Sequence, residues 1–279
     1  MVTSIIFSKD RPLQLDLCLN SIKKNFTDST QNIVLYNNSK EFSEGHETLK
    51  TEHGDVEFWA QGGSLFKDVY QAIAGSQNKY ICFFTDDDIV FSQGKIYYEA
   101  LDNPHLTCVS LRMGLNICER WHDGMVSDDL PIHIVASDEC MIWWQRTIQM
   151  YGSYWSYSLS VDGHIFRKQD MLEMMEELVF LEGVKEWKQT PNELESAIQR
   201  FWTITPGLMA APRHSMVVNT PNNRVQDTHI ENRSGDEYDY TPQLLLHKYL
   251  SGQRIRLESL DFNEIKCPHT EIDILKGLK

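Results

Sequence analysis

The stretch that decides the fold is residues 80–91, Tyr80-Ile81-Cys82-Phe83-Phe84-Thr85-Asp86-Asp87-Asp88-Ile89-Val90-Phe91. Its first five residues are apolar or aromatic and predict a buried β-strand. Three aspartates follow in a row, and these like charges repel one another unless a cation or water separates them. Carboxylate oxygens suit hard divalent ions such as Mg²⁺ or Mn²⁺. The alternative is a strand that ends in a solvated acidic turn.

Three further apolar runs precede this stretch and place it in a repeating pattern. Residues 3–7, 33–36 and 56–59 predict strands, and residues 13–25 and 65–74 predict helices. Alternation of strands and helices implies a mostly parallel sheet with right-handed crossovers and helices on both faces. We therefore predict an α/β fold.

Polar residues directly follow several of the predicted strands. In open α/β sheets, ligands bind beyond the carboxyl ends of the strands. The residues expected to line that edge are Ser8, Arg11, Asn37, Asn38 and Asp86 to Asp88.

Three segments carry a resemblance to a known family: Ser4–Pro12, the asparagines that follow the second predicted strand, and Phe84–Ile89. Together they resemble the GT-A glycosyltransferases, in particular the inverting, nucleotide-sugar-dependent group called family two. Phe84–Ile89 looks like the DxD motif of that fold. The resemblance covers roughly the first hundred residues. It is thinner beyond Leu111, where Ser160–Arg167 looks like the family's segment that flanks the donor sugar.

The resemblance implies a GT-A, Rossmann-like fold with an acceptor-binding second half. It implies transfer of a sugar from a nucleotide-diphosphate donor to a hydroxyl of a carbohydrate or other acceptor, with inversion and with Mn²⁺ or Mg²⁺ as cofactor. It also implies a set of nucleotide-sugar-binding residues, namely Ser8, Arg11, Asn37, Asn38, Lys67, Asp86 and Asp87.

The same resemblance assigns the metal site. In the resembling enzymes the last aspartate of the motif meets the metal and the first meets ribose or metal-bound water, so these roles fall to Asp88 and Asp86. Asp87 is expected to point the other way, because strand side chains alternate. Two carboxylates cannot fill a six-coordinate ion. His229 is predicted as a further ligand and His214 is the second choice, and an exposed loop histidine is the alternative for both.

Inverting transfer also needs a general base for the acceptor hydroxyl. Glu193 and Glu195 stand at the start of a predicted helix, where the resembling enzymes place an acidic base. Asn192 and Glu195 have the spacing of a capping box, which explains Glu195 without catalysis. Glu193 is therefore the predicted base, with Glu195 in reserve.

Asp162 is the third catalytic candidate. It precedes Gly163, a residue type that allows close approach of backbone and ligand, and is predicted to accept hydrogen bonds from donor-sugar hydroxyls. The alternative is a plain turn aspartate.

Composition sets further bounds on function. The 279-residue chain has a net charge of −14, which argues against nucleic-acid binding because phosphate neutralisation needs a basic surface. No apolar stretch approaches the ~18 residues of a membrane span, and the first residues lack the basic region of a signal peptide. The six cysteines lack CxxC spacing and are expected to be reduced. We therefore expect a cytoplasmic protein.

Three parts are expected along the chain. Residues 1–110 form the nucleotide-sugar-binding half, residues 111–232 form the acceptor-binding half of the same domain, and residues 233–279 form a tail whose helix packs on the domain. A helix is also predicted over 93–101.

Other function classes share this plan. A sugar nucleotidyltransferase would place a Gly-rich loop after its first strand, and Ser8–Pro12 contains no glycine. A metal-dependent hydrolase would need a second cluster with two-metal spacing, which the sequence lacks. A non-catalytic, nucleotide-sugar-binding relic of the fold stays open.

Overall fold

The molecule is built on a sheet that spans most of the chain. The computed structural model describes residues 1–120, 134–137, 139–145, 153–157, 160–182, 190–203, 207–226 and 233–279. The strands are β1 Val2–Lys9, β2 Ser29–Asn37, β3 Glu57–Ala60, β4 Tyr80–Thr85, β5 Asp88–Val90, β6 Leu106–Ser110, β7 Ile134–Ser137, β8 Met141–Gln145, β9 His164–Arg167, β10 Leu208–Pro212 and β11 Val217–Asn219. The helices are α1 Pro12–Asn25, α2 Ser43–Glu52, α3 Leu65–Gly75, α4 Lys168–Glu182, α5 Pro191–Thr203 and α6 Pro242–Leu250.

Within the described residues, nine strands form the main sheet, in the order β3-β2-β1-β4-β9-β6-β10-β8-β7. The pairs β2–β3, β1–β2, β1–β4 and β6–β10 are parallel. Only β9 and β8 run against the other strands of this sheet. The predicted α/β fold with a mostly parallel central sheet is therefore confirmed.

The first half of the sheet is centred on β1 and β4, which are buried on both faces. Residues 2–7 of β1 and 80–84 of β4 are all buried, as expected for a parallel strand covered by helices on both sides. The rings of Phe7 and Phe83 stack across the two strands, with centroids 5.9 Å apart. This rigid centre fixes where β1 and β4 end, and their ends carry the polar residues.

The second half of the chain joins the same sheet. Strand β9 lies between β4 and β6 and is antiparallel to both, so the segment before His164 returns to the edge where β4 ends. The predicted helix over 93–101 is wrong, because only a short 3-10 turn forms, at Tyr98–Asp102. Gly94, a poor helix former, lies close to Met216 instead.

The last part of the chain packs back on the domain. Helix α6 lies in this tail and packs against α1 and α2. The lack of a side chain at Gly45 makes room for Pro12 and Leu246, since an added Cβ would lie within 3 Å of both. Further along, His269 forms a bridge with Asn219 at the end of β11, which brings the tail to the polar edge of the sheet. None of the helices that the structure describes is long and apolar enough to cross a membrane.

Candidate active site

The three aspartates form a turn between two strands, here called the acidic turn (Asp86–Asp88). Strand β4 ends at Thr85, Asp86 and Asp87 make the turn, and Asp88 begins β5. Asp88 pairs with Asn219 of β11. All three aspartates are buried, so their charges need partners within the protein.

Arg11 is the main partner of the acidic turn. Its Nη1 donates to Asp86 Oδ1 at 3.0 Å and to Asp87 Oδ2 at 2.8 Å. The prediction that Asp87 points away is wrong: residues 86 and 87 belong to a tight turn, where the alternation of strand side chains does not apply.

The guanidinium of Arg11 is itself held in place by Asn223. Arg11 Nε donates to Asn223 Oδ1 at 2.8 Å, and Nη2 donates to the Asn223 carbonyl. The side-chain amide of Asn223 donates in turn to Gln14 Oε1 and to the Tyr240 carbonyl. Burial lowers the pKa of Arg11, but the charges of Asp87 and Asp86 outweigh this and raise it. Arg11 is therefore a fixed, charged group between two carboxylates.

Asp86 has further donors on β1. Its Oδ2 accepts from the hydroxyl of Ser8 and from the backbone N–H of Lys9, both at 2.9 Å. Burial raises the pKa of Asp86 to about 6 against the lowering effect of Arg11. The hydrogen bond from Ser8 orients this carboxylate.

Asp88 faces the interior. It is 0% exposed, its Oδ2 accepts from Thr85 N at 2.8 Å, and its Oδ1 accepts from Asn219 Nδ2 at 3.2 Å. Burial raises its pKa well above the usual range, and the charges of Asp162 and Asp87 add to this. The same amide nitrogen of Asn219 donates to Asp87 Oδ1 at 3.0 Å, so Asn219 joins the two carboxylates.

The predicted metal site can be tested against these contacts. Oxygen donors suit Mn²⁺ or Mg²⁺, but each carboxylate oxygen of the acidic turn accepts a protein hydrogen bond. A guanidinium also lies between Asp86 and Asp87, so a divalent ion does not fit the turn as arranged. No group of three or more ligating side chains suited to a metal occurs in the described part of the chain.

Neither histidine proposed as a metal ligand is placed at the turn. His229 lies outside the described residues. His214 is exposed on the loop after β10 and lines a different cavity, together with Phe91 and Phe262.

The other predicted nucleotide-binding residues lie along the same edge. Asn37 ends β2 and is exposed, and Lys67 is exposed in the first turn of α3. Asn38 is half-buried and donates to Ser43 Oγ at 3.2 Å. Because β1, β2, β3 and β4 are parallel, these residues and the acidic turn share one edge.

A second group of polar residues adjoins the acidic turn. We call it the Asp162 cluster, defined by Arg112, Tyr157, Asp162, Glu195 and His269. Arg112 Nη1 donates to Asp162 Oδ2 at 2.9 Å, and His269 Nε2 lies 3.4 Å from the same oxygen. Burial alone would raise the pKa of Asp162, but the hydrogen bond from His269 and the charge of Arg112 lower it to about 2. Asp162 therefore stays ionised and is a weak base.

Thr85 links the two groups. Its hydroxyl donates to Asp162 Oδ1 at 3.3 Å and accepts from Asn219 Nδ2 at 3.1 Å. Gly163 holds Asp162 at the edge through a positive φ of 73°, and an added Cβ would lie 3.1 Å from Val217. Glycine suits this position because other residues rarely adopt that conformation.

The helix start near Glu193 differs from the expectation. Helix α5 begins at Pro191, and the Thr190 carbonyl accepts the first helical hydrogen bond, from Leu194 N. Glu193 Oε2 accepts from Thr190 N at 3.3 Å, and Thr190 Oγ1 accepts from Glu193 N at 3.4 Å. Thr190 and Glu193 thus form the capping box. The predicted box of Asn192 and Glu195 is wrong, and Asn192 donates to Gln226 instead.

Glu195 instead faces the Asp162 cluster. Its Oε1 accepts from Val161 N at 3.1 Å, and it forms a hydrogen bond with Tyr157. The side chain is partly exposed. Burial raises the pKa of Glu195 to about 7, and the nearby charge of Asp162 adds to this. Such a carboxylate can accept a proton near neutral pH.

Several residues of this site were not identified from the sequence, among them Arg112, Asn219 and His269. Arg112 directly follows the strand-like run 106–111, so the rule that polar residues after strands line the edge could have found it. His269 and Asn219 meet through the pairing of the tail with β11. His269 Nδ1 also lies 3.1 Å from Tyr154 OH. No local pattern in the sequence signals these contacts.

Comparison with known proteins gives weak similarities. No protein-family model matches this chain, and a search of curated proteins finds no match. S. aureus TarS 1-349 in complex with UDP is 15% identical, with a TM-score of 0.43, over 79% of this chain and 61% of that one. S. aureus TarS 1-349 in complex with UDP-GlcNAc is 14% identical, with a TM-score of 0.42, over 75% of this chain and 55% of that one.

A third similar structure is the mannosyltransferase PcManGT from Pyrobaculum calidifontis in complex with GDP-Man and Mn²⁺. It is 12% identical, with a TM-score of 0.29, over 39% of this chain and 34% of that one. This chain thus spans between about a third and three fifths of the length of the structures it matches. With identities and TM-scores this low, the function has to be inferred from the residues of this chain.

Proposed function

We propose that this chain is a glycosyltransferase that moves a sugar from a nucleotide-diphosphate donor to an acceptor hydroxyl, with inversion. The observation that carries the proposal is Glu195, a partly exposed carboxylate with a pKa of about 7. It lies beside Asp162, at the edge where the parallel strands end. A general base works best when its pKa is near the working pH, and ligands of such sheets bind at this edge.

The donor is proposed to lie beyond the ends of β1, β2 and β3. Asn37 and Lys67 are exposed there, and a lysine can meet the charge of a diphosphate. Ser8 and Arg11, which were expected to touch the nucleotide, are engaged with Asp86. Ser8 and Arg11 therefore hold the acidic turn in place. The exposed residues Asn37 and Lys67 are the proposed donor contacts.

The reaction assigned to the Asp162 cluster is a single displacement of the nucleotide diphosphate from the donor sugar. Glu195 takes the proton of the acceptor hydroxyl while that oxygen bonds to the anomeric carbon and the bond to the nucleotide diphosphate breaks. Positive charge develops at the anomeric carbon, as in glycoside hydrolysis. The carboxylate of Asp162, held ionised by Arg112 and His269, is suited to stabilise that charge.

A second candidate is a nucleotide-sugar-binding protein without catalysis. One observation favours it: the oxygens of the acidic turn are engaged with protein donors. A protein that no longer needed a metal-bound donor could keep such a turn for stability alone.

Donor binding can be tested first by thermal shift with UDP-, GDP-, CMP- and dTDP-sugars, because a ligand that binds the folded state stabilises it. Release of the nucleoside diphosphate from the selected donor is then measured for wild type, Glu195→Gln and the matched control Glu193→Gln. The proposal expects release by wild type and Glu193→Gln only. Binding without release in wild type would favour the second candidate, and no binding of any donor would contradict both.

A further inference from the structure

We infer that Arg11 is the resident cation of the acidic turn and that this turn takes up no divalent ion while the guanidinium is in place. The inference disagrees with the Mn²⁺ or Mg²⁺ site that the sequence resemblance implies. It concerns the charge balance of the turn, so it is testable whether or not the proposed transfer occurs.

Each carboxylate oxygen of the acidic turn already accepts a hydrogen bond from the protein. Asp86 accepts from Arg11, Ser8 and Lys9 N, and Asp87 accepts from Arg11 and Asn219. Asp88 accepts from Thr85 N and Asn219 and is 0% exposed. An ion bound at Asp86 or Asp88 would have to displace donors that are already buried, and each donor would then be left without a partner.

The guanidinium of Arg11 is also anchored away from the carboxylates, by Asn223. Nη1 bonds two aspartates, while Nε and Nη2 bond Asn223. Arg11 is also the residue before Pro12 at the start of α1, and its carbonyl accepts from Leu15 N. Moving the side chain aside would break both bonds to Asn223, and a metal at the turn would not replace them. A divalent ion that entered without moving it would lie close to a like charge.

A consequence for the donor follows, and this consequence rests on the proposed function. If Arg11 balances the acidic turn, the diphosphate of the donor is bound without a metal bridge to Asp86 or Asp88. Exposed cations at the same edge, such as Lys67, would then neutralise the charge of the diphosphate.

The direct test is uptake of Mn²⁺ measured by electron paramagnetic resonance, which reports the free ion. We compare wild type, Arg11→Met and the matched control Arg224→Met, an exposed arginine on the loop after β11. We expect no uptake by wild type or by Arg224→Met. Arg11→Met should take up one ion per chain, and adding Asp86→Asn to that variant should abolish the uptake.

Two results would overturn the inference. One is uptake of one Mn²⁺ per chain by wild type that Asp86→Asn or Asp88→Asn removes. The other is a folded Arg11→Met that takes up none. Should Arg11→Met fail to fold, Asn223→Ala, which removes the side-chain anchor of the guanidinium, takes its place. Uptake of one ion by this variant that Asp86→Asn abolishes supports the inference, and no uptake overturns the role given to the guanidinium.

A second readout separates this inference from the proposed function. Calorimetry measures the affinity of wild type for UDP and for GDP in EDTA and in Mn²⁺. Equal affinity in the two solutions supports the inference, and affinity that requires Mn²⁺ overturns it while the proposed function stands. Absence of binding in both solutions counts against the proposed function, and the Mn²⁺ uptake result then decides the inference by itself.

Discussion

The acidic turn and the Asp162 cluster share one edge of the sheet, but they hold their carboxylates in opposite ways. In the acidic turn, Asp86, Asp87 and Asp88 are buried and bonded to Arg11, Asn219 and backbone N–H groups. In the Asp162 cluster, Glu195 is partly exposed and has a pKa of about 7. In the first arrangement each carboxylate oxygen accepts a hydrogen bond from the protein, whereas the second leaves a partly exposed carboxylate that can exchange a proton with a ligand.

The difference shows that the number of carboxylates in a motif does not identify the reactive one. Three adjacent aspartates suggest a metal site, but a buried arginine can neutralise their negative charge instead. A single glutamate becomes a useful base when burial and one neighbouring charge shift its pKa toward neutrality.

The largest expected effect is on turnover. Glu195→Gln should lower kcat by about 10²–10⁴-fold and leave donor affinity nearly unchanged, because a base acts mainly in the transition state. Glu193→Gln is the control, since Gln also completes the capping box with Thr190, and it should retain near-normal turnover. Steady-state kinetics on both variants with the donor found by thermal shift measure this.

The reverse result would show that the assignment is mistaken. An inactive Glu193→Gln beside an active Glu195→Gln would return the role of base to the helix cap. Normal turnover in both variants would place the base elsewhere in the chain.

The next effect concerns the stability of the acidic turn. Arg11→Met leaves Asp86 and Asp87 buried without their cation, and breaking a buried ion pair in this way costs about 3–5 kcal/mol. Arg224→Met, at an exposed position, should change the free energy of unfolding by about 1 kcal/mol or less, because the contacts of exposed charges contribute little. Urea unfolding of both variants at neutral pH measures the difference. A loss of less than about 1 kcal/mol in Arg11→Met would mean that the turn does not depend on this cation.

The smallest effect is a pH-dependent gain in stability. The pKa of Glu195 rises on folding from 4.5 to about 7, so the folded chain holds this proton more tightly than the unfolded chain does. Stability from this proton is full below pH 4.5 and is lost as the pH rises to about 7. Glu195→Gln avoids the loss, and at about pH 8 it should be more stable than wild type by about 1–3 kcal/mol.

Unfolding of wild type and Glu195→Gln is therefore compared at low and high pH. The advantage of the variant should vanish below pH 4.5, where the wild-type side chain is protonated in both the folded and the unfolded state. An equal difference at both ends of the range would show that the gain does not come from the titration of Glu195.

The parallel half of the sheet could be predicted because its strands are strongly apolar. Residues 2–7 and 80–84 are buried on both faces, and such runs stand out in a sequence. The polar residues after them could be assigned to one edge for the same reason. Strand β10, Leu208–Pro212, could not be recognised, since methionine and alanine have little β preference and the strand is fixed by its neighbours β6 and β8.

The candidate site was predicted less well, and the errors have physical causes. Both Thr190–Glu193 and Asn192–Glu195 have the spacing of a capping box. Pro191 decides between them, since proline favours the first helical position and makes Thr190 the cap. The expected direction of Asp87 assumes strand geometry at residues 86 and 87, which instead form a turn. The contacts of Arg11 with Asn223 and of His269 with Asp162 join distant segments, and no local pattern reports them.

The most direct test of the central claim is a carboxyl ¹³C NMR titration of wild type, Glu195→Gln and Glu193→Gln. It needs neither donor nor acceptor, so it tests the environment of Glu195 by itself. The account predicts a carboxyl resonance in wild type and in Glu193→Gln that titrates near pH 7 and is missing from Glu195→Gln. If the three proteins have the same resonances titrating near neutral pH, Glu195 does not hold a proton there and cannot be the base described.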